Sequence, residues 1–107
     1  MTPRAIRLYE QHGFITPARD EHEVRFYDGQ TVERLQHIAV FRGADLPLRA
    51  IADLLDILDA RGEPAMRRRL LELLATRSAA LDRQRRAIDQ IRRRLLQAEA
   101  ETMARSA

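Results

Sequence analysis

The 107-residue chain contains no cysteine, and this absence removes a whole class of chemistry. Disulfide bonds, thiolate metal ligands, cysteine nucleophiles and thiol redox sensors all need the missing side chain. Long apolar runs are absent too, whereas a membrane-spanning helix needs about 18 consecutive apolar residues. The first residues, Met1–Arg4, lack the apolar core of a signal peptide. Together these absences predict a cytoplasmic protein that has no membrane partner.

Lysine is missing as well, so all 19 basic residues are arginine. Arginine is suited to forked contacts with phosphates and guanine edges, although a GC-rich genome would produce the same bias. The net charge of +3 is unevenly spread: it is −1 over residues 1–30, −2 over 31–64 and +6 over 65–107. An N-terminal part that binds DNA must therefore use a few well-placed arginines, since it has no broad basic field.

The sequence contains no pattern typical of an enzyme. It has no glycine-rich phosphate loop, no nucleophile set beside a histidine and no carboxylate pair in an evident pocket. The three histidines, at positions 12, 22 and 37, lack the spacing of metal ligands. We therefore expect no catalytic site, no metal and no cofactor.

Start and stop signals divide the first 61 residues into three short helices and a hairpin. Thr2 is a good N-cap with Pro3 at the first helical position, and Gly13 is a stop signal. Asp28 is a good N-cap for the second helix, whose apolar residues form a broad stripe. The predicted elements are helices over 3–12, 30–42 and 48–60, with β-prone segments of a hairpin at 14–16 and 24–27.

After a break at residues 61–64, one long helix is predicted from Ala65 to about Met103. Its apolar residues recur at alternating spacings of four and three, as in a coiled-coil seam, and the polar Arg77 and Gln84 would set the register. Little else in the chain could cover a helix about 60 Å long, so we expect a second copy of the chain to do so. The predicted dimerisation residues are Leu70, Leu74, Leu81, Ile88, Ile91 and Leu95.

Three segments within residues 2–58 resemble the MerR family of transcriptional regulators. They are PRAIRLYE at 3–10, VRFY at 24–27 leading into VERL at 32–35, and RG at 42–43 followed by LPL at 46–48. The resemblance implies a mainly α fold with a winged helix-turn-helix and a long C-terminal helix in an antiparallel coiled coil. The implied domains are a DNA-binding domain over 1–61, a linker over 62–64 and a dimerisation helix over 65–107.

The resemblance also implies which residues contact DNA. The first helix is similar to the family's recognition helix, which enters the major groove, and the hairpin is similar to its first wing. The implied contact residues are Arg4, Arg7, Tyr9, Arg19, Arg25, Tyr27 and Arg42. The implied function is that of a homodimer that binds a palindrome in double-stranded promoter DNA, distorts the spacer and so acts on RNA polymerase indirectly.

Two features depart from the family pattern. Family members begin with a further helix that completes the helix-turn-helix, whereas this sequence begins at the turn, so we expect that helix to be missing. A misassigned start, a trimmed chain or a naturally shortened protein would each explain this. The departure leaves open a second function, a dimerisation module that pairs with a full-length relative and does not bind DNA. The wing tip at 20–23 also carries three acids, which phosphates would repel.

Overall fold

The computed structural model describes residues 1–106 and is mainly helical, as predicted. Ala107, the last residue of the predicted dimerisation segment, lies outside the described residues. The chain divides into a first unit, Met1–Arg69, and a second unit that begins at Leu70. The elements are α1 (Pro3–Gln11), β1 (Ala18–Arg19), β2 (Arg25–Phe26), α2 (Gly29–Gly43), α3 (Leu48–Arg61) and α4 (Glu63–Ser106). Within residues 1–106, none of the helices has the length and apolar character needed to cross a bilayer.

The core of the first unit is formed by apolar side chains from all four helices and from the loop after α1. The start of α4 contributes to it, because Ala65 and Met66 are buried. Burial of this apolar area is the main favourable term that holds the short helices in place, since none of them would be stable alone. The largest fully buried side chains are Ile38, Phe41, Ile51, Leu54, Leu55 and Met66.

Helix α1 ends in a left-handed turn that carries the chain directly into this core. Gly13 has φ of +73° and donates its N–H to the Glu10 carbonyl at 3.0 Å, while the N–H of Phe14 bonds to the Tyr9 carbonyl at 2.9 Å. The rings of Tyr9 and Phe14 then stack, with centroids 6.3 Å apart. This is a Schellman motif with its usual apolar contact, and it explains why glycine is needed there.

The hairpin is shorter than the sequence pattern predicted, and its first strand lies elsewhere. Strand β1 comprises only Ala18 and Arg19, paired antiparallel with Phe26 and Arg25. The expected strand at 14–16 is wrong, because Phe14 and Ile15 are buried core residues of an irregular loop. A short apolar run fits a strand and a buried loop equally well, so the pattern by itself could not distinguish them.

The helix boundaries differ from the predicted ones by a few residues at most. Helix α4 begins at Glu63 instead of residue 65, so Pro64 lies in its first turn. Proline is tolerated there because the first turn has no intrahelical acceptor for its missing N–H. The break between α3 and α4 is thus a single residue, Gly62, with φ of +90°.

The wing, which we define as residues 18–26, has a tip whose backbone is held by the side chain of Asp20. A carboxylate oxygen of Asp20 accepts the N–H groups of His22 at 2.8 Å and Val24 at 2.9 Å. The chain reverses by placing Glu23 in the left-handed region, at φ of +63°. A side chain at this conformation is sterically costly, which makes the tip a strained point of the wing.

Replacing Glu23 with glycine is expected to raise the free energy of unfolding by up to about 1 kcal/mol, because glycine adopts positive φ without steric cost. Urea denaturation followed by circular dichroism measures the change. Glu21→Gly is the matched control: it makes the same substitution two residues earlier, where φ is not positive, and should be neutral or destabilising. Equal stabilities of the two variants would contradict the expectation.

The second unit is the remainder of α4, and the predicted dimerisation residues lie along it. Leu81, Ile88, Ile91 and Leu95 are exposed, whereas Leu70 and Leu74 are half-buried. Residues 88, 91 and 95 line one shallow apolar groove, which Leu96 extends. These exposed apolar side chains are the ones that a second copy of the chain was expected to cover. Their pairing as a coiled coil stays a prediction.

Candidate nucleic-acid interface

Helix α1 presents two arginines on its exposed surface. Its start is fixed locally, because the Thr2 hydroxyl accepts the N–H of Ala5 at 3.2 Å and Pro3 occupies the first turn. Arg4 and Arg7, three residues apart, lie on one side of the helix and are both exposed. A helix that carries forked cations on one side has the form needed to enter a groove of DNA.

A basic groove, defined here by Arg4, Arg7 and Arg42, joins α1 to the end of α2. Arg42 is held in place by a hydrogen bond from its Nη1 to the carbonyl of Leu46 at 3.0 Å. Only one of its five N–H donors is used in that bond, so the others are available to a ligand. The predicted contact residues Arg4 and Arg7 of α1 therefore share one groove with Arg42, which is distant from them in sequence.

Tyr9 also lines the basic groove, but its side chain is almost entirely buried. Its ring packs against Phe14 as part of the core. The structure therefore gives Tyr9 a clear packing role, and its predicted contact with phosphate remains a prediction.

The wing contributes two arginines from paired strands. Arg19 on β1 lies opposite Arg25 on β2 in the antiparallel register. The Nη1 of Arg19 donates to the carbonyl of Glu23 at 3.1 Å, so its guanidinium braces the strained wing tip. Side chains of directly opposed residues lie on the same face of a hairpin, which places both cations on one side of the wing.

A second group of residues, which we call the wing cluster, joins α1 to the wing through Glu10, Arg25 and Tyr27. The Tyr27 hydroxyl donates to Oε1 of Glu10 at 2.8 Å, and the Arg25 guanidinium donates to Oε2. The Tyr27 hydrogen bond, helped by the charges of Arg25 and Arg7, lowers the pKa of Glu10. The same hydrogen bond raises the pKa of Tyr27 above its ordinary value. At neutral pH the cluster is thus a carboxylate that holds a neutral phenol and a cation.

Sequence reasoning missed two residues that organise this surface. Glu10 lies three residues after the predicted contact residue Arg7, but this spacing by itself predicts no partner in the hairpin. Arg34 bonds through Nε to the Phe14 carbonyl at 2.7 Å and through Nη1 to Asp59 at 2.6 Å. It ties the loop after α1 to α2 and α3, and no local pattern could have revealed partners 20 and 25 residues away.

Comparison with known families identifies the chain. A family described as MerR HTH family regulatory protein matches residues 1–57, and one described as MerR, DNA binding matches residues 32–98. The chain belongs to the MerR family. This membership confirms the resemblance seen in the sequence and puts the chain in a family of transcription regulators.

Two curated MerR-family relatives illustrate the match. The HTH-type transcriptional activators TipA of Streptomyces coelicolor and Streptomyces lividans are each 34% identical to the chain over 92 residues. The aligned region covers 84% of this chain but 36% of each relative, so the chain spans about a third of their length. No solved structure matches the chain.

Proposed function

We propose that this MerR-family chain binds double-stranded promoter DNA as a homodimer and regulates transcription by distorting the DNA between promoter elements. Residues 1–61 would bind DNA and residues 65–107 would join the two copies. The observation that carries the proposal is the position of Arg7, which lines both the basic groove and a second groove that the wing cluster also lines. Cations from α1, α2 and the wing thereby converge around one exposed helix.

The convergence supports a division of roles among the contacts. Helix α1 would enter the major groove, where Arg4 reads base edges and Arg7 binds the adjacent backbone. Arg42 and the wing arginines Arg19 and Arg25 would bind phosphates on either side. Since residues 1–64 carry a net charge of −3, these few groups must supply most of the attraction.

Pairing through α4 would hold two such surfaces at a set distance. Exposed apolar side chains at 81, 88, 91 and 95 support the pairing, because burying them stabilises a dimer by about 25 cal/mol for each Å² of apolar surface. A two-fold dimer recognises a palindrome, since each copy meets the same half-site. RNA polymerase would then respond to the altered DNA shape without a required contact to the protein.

Distorting the DNA between the promoter elements requires that the two DNA-binding units be joined by a stiff part of the protein. Bending a site of 20–30 base pairs costs about 1–6 kcal/mol, and only contacts at both ends of the bend can offset that cost. A 44-residue uninterrupted helix is well suited to transmit force between two DNA-binding units, because every backbone hydrogen bond along it opposes bending.

A mobility-shift assay with the promoter DNA of the chain's own operon tests the proposal. Arg4→Ala and Arg7→Ala are each expected to weaken binding about tenfold, in line with a loss of 1–3 kcal/mol for an important DNA contact. Arg68→Ala is the matched control, because it removes an exposed arginine of the first unit that lines neither groove.

The same assay decides between the proposal and a dimerisation module that does not bind DNA. The net negative charge of residues 1–64 is the observation that favours the module. If the wild-type protein is dimeric yet shifts no DNA, or if all the arginine variants shift it equally, the proposed DNA interface is wrong. Binding lost only in the Arg4 and Arg7 variants would support it.

A further inference from the structure

The carboxylate of Glu10 is the point through which α1 and the wing are joined. It accepts hydrogen bonds from Tyr27 at one oxygen and from Arg25 at the other. Its side chain is only 16% exposed, whereas that of Arg25 is 50% exposed. A carboxylate on a surface that meets phosphates would be repelled by them, so its central place needs a physical reason.

The hydrogen-bond donors of the wing cluster show how its members divide their roles. A tyrosine hydroxyl has one O–H, and Tyr27 gives it to Glu10, so in this arrangement Tyr27 has no donor left for a phosphate. A guanidinium has five N–H donors, and Arg25 gives one of them to Glu10. Arg25 can therefore bind Glu10 and a phosphate together, whereas Tyr27 cannot donate to both.

We propose that Glu10 is a positioning residue for DNA binding, which with Tyr27 holds Arg25 beside Arg7 so that both guanidinium groups meet one stretch of phosphate backbone. The inference rests on the proposed function and adds a role for a residue that does not itself touch DNA. The groove at this place is lined by Pro3, Ile6, Arg7, Glu10, Arg25 and Tyr27. Arg7 lies near enough to act electrostatically on both Glu10 and Tyr27.

The negative charge of Glu10 and its positioning role predict opposite effects on DNA affinity when Glu10 is removed. Because the pKa of Glu10 is lowered, its carboxylate is ionised at neutral pH and subtracts one charge from the pair of arginines. If Glu10 acted only through this charge, its removal would tighten DNA binding. If it positions Arg25, its removal frees that side chain to move and weakens binding despite the gain in positive charge.

Fluorescence anisotropy at several salt concentrations measures the effect. The probe is a 30-base-pair duplex from the promoter of the chain's own operon, with a scrambled duplex of equal length beside it. Glu10→Ala is expected to bind both duplexes about tenfold more weakly than wild type and to lower the salt slope by about one, as Arg25→Ala should. Glu21→Ala is the matched control: it removes the same charge from an exposed wing-tip side chain and should bind as tightly as wild type, or tighter.

Combined variants separate positioning from a general loss of structure. If Glu10 acts through Arg25, the double variant Glu10→Ala with Arg25→Ala should bind no more weakly than Arg25→Ala alone. Glu10→Gln retains an oxygen that can accept the Tyr27 hydroxyl and should recover part of the affinity. If Glu10→Ala fails to fold, Tyr27→Phe replaces it, since it keeps the ring and removes only the hydrogen bond to Glu10.

The outcomes distinguish this inference from the proposed function. The inference is wrong if Glu10→Ala binds DNA as tightly as wild type. The same result for Tyr27→Phe, where that variant replaces Glu10→Ala, has the same meaning. Additive losses in the double variant would overturn the inference as well. If Glu10→Ala or its replacement Tyr27→Phe keeps wild-type affinity while Arg7→Ala loses it, the inference is wrong but the proposed function stands. A wild-type protein that binds neither duplex would overturn both.

Discussion

If the proposed dimer forms, replacing both Ile88 and Leu95 with glutamate is expected to convert it to a monomer and to weaken binding to a promoter duplex at least 100-fold. The two side chains are 57% and 63% exposed and lie along the apolar groove of α4. In a dimer they would be buried, and placing unpaired carboxylates there costs several kcal/mol. Loss of the second DNA-binding unit then removes a gain in avidity of about 10²–10⁴.

The chain offers a closely matched control for this double substitution. Gln90→Glu with Gln97→Glu adds the same two charges at the same spacing of seven residues, but on the side of α4 away from the seam. Light scattering at micromolar concentration measures the oligomeric state, and anisotropy measures the affinity for DNA. A wild-type protein that is monomeric, or a glutamate variant of the seam that remains a tight dimer, would contradict the proposed pairing.

Replacing Phe41 with alanine is expected to lower the free energy of unfolding by about 3–5 kcal/mol. Phe41 is 1% exposed, and its carbonyl accepts the N–H of Leu46 at the turn that follows α2. Small domains have total stabilities of about 5–15 kcal/mol, so the substitution would remove between a fifth and all of the free energy of unfolding. DNA binding should fall in parallel, because Arg42 is placed by the same turn.

The neighbouring residue supplies the control for the core substitution. Val40 is 63% exposed, so Val40→Ala should change the free energy of unfolding by no more than about 0.5 kcal/mol. Urea denaturation followed by circular dichroism gives both values. If the two variants were equally stable, Phe41 could not be the central core residue that its burial indicates.

The starts of α1 and α2 could be predicted because the interactions that fix them are local. The Thr2 hydroxyl accepts an N–H three residues ahead, and the Asp28 carboxylate does the same for Thr31 at 2.8 Å. The bond to Thr31 lowers the pKa of Asp28, as expected for a carboxylate that accepts a backbone N–H. Both caps are confirmed, since each is determined by four consecutive residues.

The wing could be predicted in kind but not in position. Its β-prone residues and polar tip indicated a hairpin, and a hairpin is present. Whether Phe14 and Ile15 formed a strand or a buried loop depended on the core in which both side chains are buried. That core is a property of the packed unit, which no short segment of sequence determines.

By itself the sequence determined the mainly α fold, the family, the caps and the apolar repeat of α4, because each is specified by neighbouring residues or a fixed spacing. Only the tertiary structure decided which side chains meet: Glu10 with Tyr27, 17 residues apart, and Arg34 with Asp59, 25 apart. Local signals extend over about one helical turn. The candidate DNA-binding surface is built from α1, α2 and the two strands of the wing. It depends on contacts that form only when the core brings those elements together.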